Sequence, residues 1–191
     1  MKWLIDPDSP FYKIMNFFAD MVMWGFLYFL CAWPIFTIGA ANCAIYSITK
    51  KINADEKAGI KDFINAFKKN FLSNTFIWLA ILFLITTITF LLYVNMYLFL
   101  PIAFFCVLEI IFFFVYFFPL TSKNKFPLAK SIKLSFLLAH KHLFTTVLCA
   151  AILAITLITC FFYPPLFLIC AGVYNFLTCN LLEKIFAKYN L

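Results

Sequence analysis

Five long apolar segments dominate the sequence, separated by short polar stretches. They cover about residues 17–36, 74–96, 97–120, 143–163 and 166–186. Each is long enough to cross the hydrocarbon core of a bilayer, which takes about 20 helical residues. Backbone groups in lipid must find hydrogen-bond partners within the protein, and segments of this length do so best as helices. The pattern therefore predicts an all-α, polytopic membrane helix bundle of about five spans.

A shorter apolar segment, residues 40–48, follows the first span. About ten helical residues extend only about 15 Å, so this segment cannot cross a bilayer alone. It is interpreted as a continuation of a broken first helix, a re-entrant piece or an interfacial helix. The five-span count puts the N-terminus outside, whereas a re-entrant piece puts it inside. Pro101 and the pair Pro164–Pro165 predict tight turns between neighbouring spans.

Two amphipathic stretches, which we call elbows, precede the second and fourth spans. Apolar side chains recur at three- and four-residue spacing with lysines elsewhere, which is typical of an interfacial helix. Each elbow leads into a hairpin of two spans, so the single membrane domain of 1–191 divides into 1–49, 60–120 and 126–188. The elbows are expected to contact anionic lipid or a soluble partner. Their stripes are Ile60, Phe63, Ile64, Phe67 and Phe71, then Ile132, Phe136, Ala139 and Leu143, and their lysines are Lys61, Lys68, Lys69, Lys130, Lys133 and Lys141.

Composition and charge agree with a membrane protein and give its orientation. Hydrophobic residues make up 65% of the chain and charged residues 12%, with a mean hydropathy of +0.99. These values exclude a soluble enzyme and a disordered chain. All 15 basic residues are lysines, and the lack of arginine argues against nucleic acid. Most lysines lie in 50–69, 122–142 and the C-terminal tail, which predicts a multi-pass cell-membrane protein with these parts and its C-terminus in the cytoplasm.

Glu109 is an unusual residue for the middle of the third span. A carboxylate at that depth costs at least about 2.5–3.5 kcal/mol, so it is expected to face the bundle interior and to be paired or protonated. It predicts an ion- or proton-coupled site or a contact to another subunit. The alternative is a structural hydrogen bond to a neighbouring helix. No lysine lies at a comparable depth.

Other polar residues give weaker signals. Asn16 and Asp20 form an i, i+4 pair that is predicted to cap and anchor the first helix at the interface, or to line a site. His140 and His142 point to different faces of a helix, so they favour interfacial anchoring over metal binding. The seven cysteines form no C-x-x-C pair, and the chain contains no catalytic or phosphate-binding motif. We therefore expect no enzyme activity, cofactor or metal.

Several runs of residues carry a resemblance to a known family. They are Asp6-Pro-Asp-Ser-Pro10 with Asn16 and Asp20, Pro34-Ile-Phe-Thr-Ile-Gly39, Ala44-Ile-Tyr46, Lys51, Asp62-Phe-Ile-Asn-Ala-Phe-Lys-Lys-Asn-Phe71, and more loosely Ser135-Phe-Leu-Leu-Ala-His-Lys-His-Leu143 with Thr145-Thr146.

These runs resemble the YesL-like bacterial membrane proteins. Gly25 departs from the family, which commonly has asparagine there, and Ala41-Asn42-Cys43 replaces a Ser/Thr-rich stretch. If that asparagine has a polar role in the bundle, this protein either lacks the polar group or supplies it from Asn42. The loop of the motif is interpreted as structural. Pro34 is expected to end the first helix, Thr37 to cap the next one, and Gly39 to allow a tight reversal.

What the resemblance implies is an accessory role. Family members are multi-pass proteins of uncharacterised activity, often encoded beside carbohydrate ABC importers and glycan-degrading enzymes. The implied partner is therefore the permease or the ATPase of a sugar ABC transporter. The alternative is a small independent transporter or channel with Glu109 in a polar path. Because five spans make a narrow bundle, that alternative favours a homo-oligomer.

Overall fold

The computed structural model describes residues 9–54, 56–123 and 126–189, so the Asp6-Pro-Asp part of the family-like motif lies outside the described residues. Within these ranges the chain forms helices and no strand, which confirms the all-α prediction. Two 3-10 turns, Ile35–Thr37 and Pro164–Leu166, join helices. The helices are α1 (Pro10–Ala32), α2 (Ile38–Asn53), α3 (Ile60–Lys69), α4 (Phe71–Val94), α5 (Met96–Ser122), α6 (Leu128–Lys141), α7 (Leu143–Phe162) and α8 (Phe167–Lys188).

Four of the five predicted spans are helices long and apolar enough to cross a membrane. They are Ile14–Ala32, Phe71–Val94, Tyr97–Ser122 and Leu143–Phe162. The fifth predicted span is α8, which has 22 residues and so has the required length. Its hydropathy is lower because asparagines and a Glu–Lys pair interrupt its apolar sequence. Of these polar residues, Asn175 is buried and Glu183 pairs with residues of other helices, whereas Asn180 and Lys184 are exposed.

The ambiguous segment after the first span forms a full helix, α2, which folds back along α1. As predicted, α1 ends just before Pro34, and a 3-10 turn reverses the chain. The Thr37 hydroxyl donates to the carbonyl of Pro34 at 2.7 Å, and the Tyr28 hydroxyl donates to Oδ1 of Asn42 at 3.4 Å across the hairpin. With 16 residues, α2 extends about 24 Å. It is therefore longer than the predicted fragment and antiparallel to α1.

The first helix is also antiparallel to α8. The rings of Phe17 and Phe176 are 4.8 Å apart, while Gly25 lies against Leu168 at the other end of the contact. Farther along, Asp20 shares a surface depression with the residues that follow α2. The start of α1 and the ends of α2 and α8 therefore lie at one end of the bundle. The five-span expectation puts the two ends of the chain on opposite sides, whereas the start of α1 and the end of α8 lie at the same end of the bundle, because α2 runs back along α1.

Helix α2 is the centre of the bundle. It contacts α1, α3, α4, α5 and α8, and every residue from 39 to 46 is buried. A Cβ atom on Gly39 would lie 2.5 Å from the carbonyl oxygen of Asn74 and 2.8 Å from Cβ of Trp78. Gly39 therefore permits the close approach of α2 and α4, and it lies inside a helix. The expectation that it makes a tight reversal is wrong.

The first elbow, α3, packs against α2. Phe63 is fully buried, and its ring stacks on Trp24 with centroids 6.4 Å apart. Lys51 of α2 lies 3.1 Å from Oδ1 of Asp62, whose other oxygen accepts from the backbone N–H of Gly59. These two contacts, the backbone hydrogen bond first, lower the pKa of Asp62. The elbow is thus held by one aromatic anchor and one exposed ion pair.

The second elbow, α6, packs against α5 through a face that only partly matches the predicted stripe, with Ala139 common to both. Its buried residues are Ser131, Ser135, Leu138 and Ala139, whereas Phe136 of the stripe is 42% exposed. The serines fit this interface because their hydroxyls donate hydrogen bonds to nearby backbone carbonyls. Ser135 Oγ, for example, donates to the carbonyl of Ser131 at 2.8 Å.

Three local predictions are corrected. The N-cap of α1 is Ser9, whose Oγ accepts from the N–H of Tyr12 at 3.2 Å, so Asn16 and Asp20 lie inside the helix and do not cap it. Thr37 precedes α2, yet its hydroxyl donates backward to the preceding turn and caps no N–H. Pro101 lies inside α5, and the turn between α4 and α5 is the single residue Asn95. The turn at Pro164–Leu166 is confirmed.

We predict that Gly25→Ala destabilises the bundle by at least about 2 kcal/mol, because overpacking at a tight contact forces backbone shifts. A Cβ atom there would lie 1.5 Å from the carbonyl oxygen of Leu168, which belongs to a helix that cannot yield locally. Unfolding of the purified protein in mild detergent measures the change. The control is Gly59→Ala, where the nearest atom lies 3.7 Å away and the cost should be at most about 1 kcal/mol. Equal losses would contradict the close α1–α8 contact.

Candidate functional site

Glu109 has a partner that the sequence analysis did not identify. Its Oε1 lies 3.2 Å from Nε2 of His140, on the second elbow. The Glu109 side chain is 25% exposed and that of His140 is 54% exposed. The carboxylate is therefore paired, as expected, but at the periphery of the helix bundle and with histidine instead of Ser, Thr or Asn.

The geometry at His140 favours a protonated ring. Its Nδ1 lies 3.0 Å from the carbonyl oxygen of Phe136, and its Nε2 faces the carboxylate of Glu109. Both partners accept hydrogen bonds, and only imidazolium donates from both nitrogens. The Phe136 carbonyl and then the Glu109 carboxylate raise the pKa of His140 above 6.5. This ion pair thus contributes stability at acidic pH, and the contribution is lost as the pH rises through the raised pKa.

An apolar groove of about 460 Å³ lies beside this pair, between α4, α5 and α6. Glu109 is the one charged residue that lines it within the described chain, and the other walls are apolar except for Thr87 and Cys106. The groove is on the outer surface of the helix bundle. Glu109 therefore faces the membrane side of the structure, and the expectation that it faces the bundle interior is wrong.

A second cavity, of about 390 Å³, lies between helices in the half of the bundle away from the elbows and is partly open; we call it the central cavity. Six helices contribute to it: α1, α2, α4, α5, α7 and α8. No Asp, Glu, Lys or His lines it among the described residues. Its lining is Tyr28, Ile38, Asn42, Trp78, Ile81, Ile85, Ile110, Ile111, Phe114, Leu153, Thr156, Leu157, Cys160, Ala171, Tyr174 and Asn175.

The polar atoms of the central cavity are grouped where α1, α2 and α8 meet. Asn42 accepts from the hydroxyl of Tyr28 and donates from Nδ2 to the carbonyl of Ile38 at 3.0 Å. Asn175 donates from Nδ2 to the carbonyl of Ala171 at 2.9 Å. The asparagine that the sequence analysis singled out as a polar group is thus buried inside the bundle and fully engaged.

A small cavity of about 10 Å³ continues from the central cavity toward the elbows. Its volume matches about one water molecule. It shares Asn42, Tyr174 and Asn175 with the central cavity and adds Tyr46 and Thr178. Pro119 of α5 also lines it. Because proline lacks an N–H, the carbonyl four residues earlier loses its helical partner next to this space.

A charged cluster closes the elbow end of this polar column. Oε1 of Glu183 accepts from the hydroxyl of Tyr46 at 3.1 Å, and Oε2 lies 3.0 Å from Nζ of Lys123 and 3.8 Å from Nζ of Lys50. The Lys123 side chain is only 4% exposed, and its Nζ lies 4.3 Å from the ring centroid of Phe186. The cluster joins α2, α5 and α8. We call it the Glu183 cluster.

The sequence analysis missed this cluster although a signal was present. Glu183 lies in the fifth apolar segment, and a carboxylate in an apolar helix needs a partner as much as Glu109 does. The partners could not be assigned, because Lys50, Lys123 and Tyr46 are far away in the sequence. Only the folding of α2 into the bundle brings them to α8.

The remaining predicted residues are mostly on the surface. Asn16 is exposed and Asp20 partly exposed, and neither makes a hydrogen bond or ion pair with another described residue. In the described ranges, no group of three or more His, Cys, Asp and Glu side chains could hold a metal ion. All six elbow lysines are exposed. Lys130 and Lys141 lie over the rings of Phe126 and Tyr189, at 4.5 and 4.8 Å.

Comparisons with known proteins add a family of unknown function. Residues 21–96 match the family model described as "Protein of unknown function, DUF624". The matched part runs from α1 to the end of α4, so it includes Asn42 and Tyr46 but neither Glu109 nor Glu183. No curated protein and no solved structure matches the chain. The chain is thus similar over this segment to proteins of unknown function.

We predict that Glu183→Gln destabilises the protein by about 2–3 kcal/mol, because it removes a carboxylate charge 3.0 Å from the nearly buried Lys123 ammonium. Unfolding in mild detergent measures the loss. Glu56→Gln is the matched control, since Glu56 is exposed and makes no ion pair with a described residue. An equal, small effect of both substitutions would show that the Glu183 cluster contributes little to stability.

Proposed function

We propose that the protein is a non-enzymatic integral membrane protein of the bacterial cell membrane that acts as an accessory subunit of a carbohydrate uptake system, an ABC importer. The DUF624 match is compatible with the resemblance to YesL-like proteins, which implies this role. The partner is then the permease or the ATPase of the importer. The lysine-rich end of the bundle, which includes the C-terminus, faces the cytoplasm.

The observation that supports this proposal best is the free positive charge on the elbows. Lys61, Lys68 and Lys69 of α3 and Lys133 of α6 are exposed and make no ion pair with any described residue. Both elbows lead into their hairpins from the same end of the bundle. A partner with an acidic surface would meet both at once, and complementary charge favours its association and orientation.

Lipid headgroups are also acceptors for these lysines, and each lysine near an anionic membrane contributes about 1 kcal/mol to surface attraction. The proposal accommodates both contacts. A lysine that binds lipid phosphate at the edge of an elbow still leaves its neighbours free for a protein. Removing several charges on both elbows therefore tests the protein contact better than removing one.

We predict that the combined variant Lys68→Gln, Lys69→Gln and Lys133→Gln lowers recovery of the importer about 5- to 10-fold when the tagged protein is purified from its own membranes in mild detergent. Each exposed charge pair contributes about 0.2–1 kcal/mol, and three add to roughly this factor. The control variant is Lys184→Gln with Lys188→Gln, which removes exposed charge from the end of α8 and leaves both elbows unaltered.

Stoichiometric recovery of a permease or an ATPase with the unaltered protein is the expected starting point. Unchanged recovery from the elbow variant would show that docking does not use these lysines. Recovery of the protein alone, after crosslinking in intact membranes, would contradict the accessory role altogether.

The second candidate function is that of a small independent transporter or channel, and the central cavity favours it. A cavity of about 390 Å³ with convergent polar groups is typical of a binding site for a small molecule. We place the polar path along the cavity and the Glu183 cluster instead of at Glu109. Because a single bundle is narrow, this function favours a homo-oligomer.

We predict that Asn175→Leu lowers the uptake of radiolabelled D-glucose by proteoliposomes at least about 10-fold, since it removes a polar group from the path at nearly constant volume. Glu109→Gln should leave uptake unchanged because Glu109 lies on the outer surface. The reverse result, with loss only in Glu109→Gln, would return the path to the outer groove. Absence of uptake by the unaltered protein would exclude this second candidate.

A further inference from the structure

The central cavity contains two polar atoms that the protein leaves unpaired. The hydroxyl of Tyr174 and the carboxamide oxygen of Asn175 make no hydrogen bond with any described residue, although both residues line the cavity. Asn175 is only 5% exposed. Both atoms are open to the space of the cavity, so a ligand or water there can complete their hydrogen bonds.

The chemistry of the cavity selects against charge. No lining residue carries a charge at neutral pH, and most of the wall is aliphatic or aromatic. A charged solute would move from water into the cavity and find no counter-ion there. This transfer costs much free energy in apolar surroundings. A neutral solute with hydroxyl groups meets both unpaired atoms, because a hydroxyl accepts from Tyr174 and donates to Asn175.

The size of the central cavity and its aromatic wall narrow the class of ligand further. A volume of about 390 Å³ lies at the small end of ligand pockets, which run about 300–1,000 Å³. Trp78 and Phe114 contribute rings to the wall opposite α8. A compact molecule with both apolar faces and hydroxyl edges fits this combination, whereas an extended polar chain does not.

We propose that the central cavity is a binding site for one small, uncharged, hydroxyl-bearing molecule, with Tyr174 as the donor and Asn175 as the acceptor. The proposal deepens the second candidate function, and that function rests on such a site. It does not depend on transport, because binding and flux are measured separately. An accessory subunit can carry the same site.

The test is equilibrium binding of tritiated D-glucose to the purified protein in nanodiscs. D-glucose is the neutral probe, and D-glucosamine and D-glucuronate are charged competitors of the same ring size. We expect saturable binding that unlabelled D-glucose displaces and that the charged sugars displace at least about 10-fold less well. Tyr174→Phe, which keeps the ring, should weaken binding about 3- to 10-fold by the loss of one hydrogen bond. Tyr97→Phe, outside the cavity and 87% exposed, should bind like the unaltered protein.

Three results would overturn the proposal. They are absence of saturable D-glucose binding, equal displacement by the charged sugars, and unaltered binding by Tyr174→Phe. Native mass spectrometry of the same preparation gives a further check. A phospholipid that is retained in the unaltered protein and lost in Tyr174→Phe would identify the occupant as lipid and would also overturn it. Binding without uptake by proteoliposomes would leave this site intact and exclude only the transporter function.

Discussion

The burial of α2 determines the rest of this structure. An α-helix of 16 residues with so many small side chains cannot stabilise itself in lipid, and it is covered by five neighbouring helices. The reversal at Ile35–Thr37 makes this burial inevitable, since it returns the chain along α1. The close approach of α2 to its neighbours then follows from the glycine and alanine residues at the contacts. Of the long helices, α1, α4, α5 and α8 each contact α2.

The position of α2 also decides where polar groups can lie. Its side chains supply Asn42 to the central cavity, Tyr46 to the narrow space beyond it and Lys50 to the Glu183 cluster. These residues recur every four positions and therefore follow one face of the helix. That face meets α8, which contributes Asn175 and Glu183. The lower hydropathy of α8 has this origin in part, because its Asn175 and Glu183 face α2.

Much of the architecture could be predicted from the sequence because lipid imposes simple rules. The lengths of the apolar segments predicted α4, α5 and α7 closely, and Pro34 correctly predicted the end of α1. The predictions that were wrong concern features that depend on packing between segments distant in the sequence. The length of α2, the buried face of α6 and the partner of Glu109 each depend on a helix that lies elsewhere in the sequence. Local spacing carries no information about such pairs, as His140 and Glu109 illustrate with a sequence separation of 31.

The low hydropathy of α2 has a consequence for the biogenesis of the protein. A nascent chain that has emerged only as far as residue 53 contains a helix whose Asn42, Tyr46 and Thr49 have no helical neighbours except α1. Such a helix has little tendency to leave the translocon for lipid by itself. We expect it to remain at the interface, beside α1, until α4, α5 and α8 have been synthesised. Completion of the core is therefore a late, post-translational step, and a chain that stops before α8 exposes these polar side chains to the quality-control proteases of the membrane.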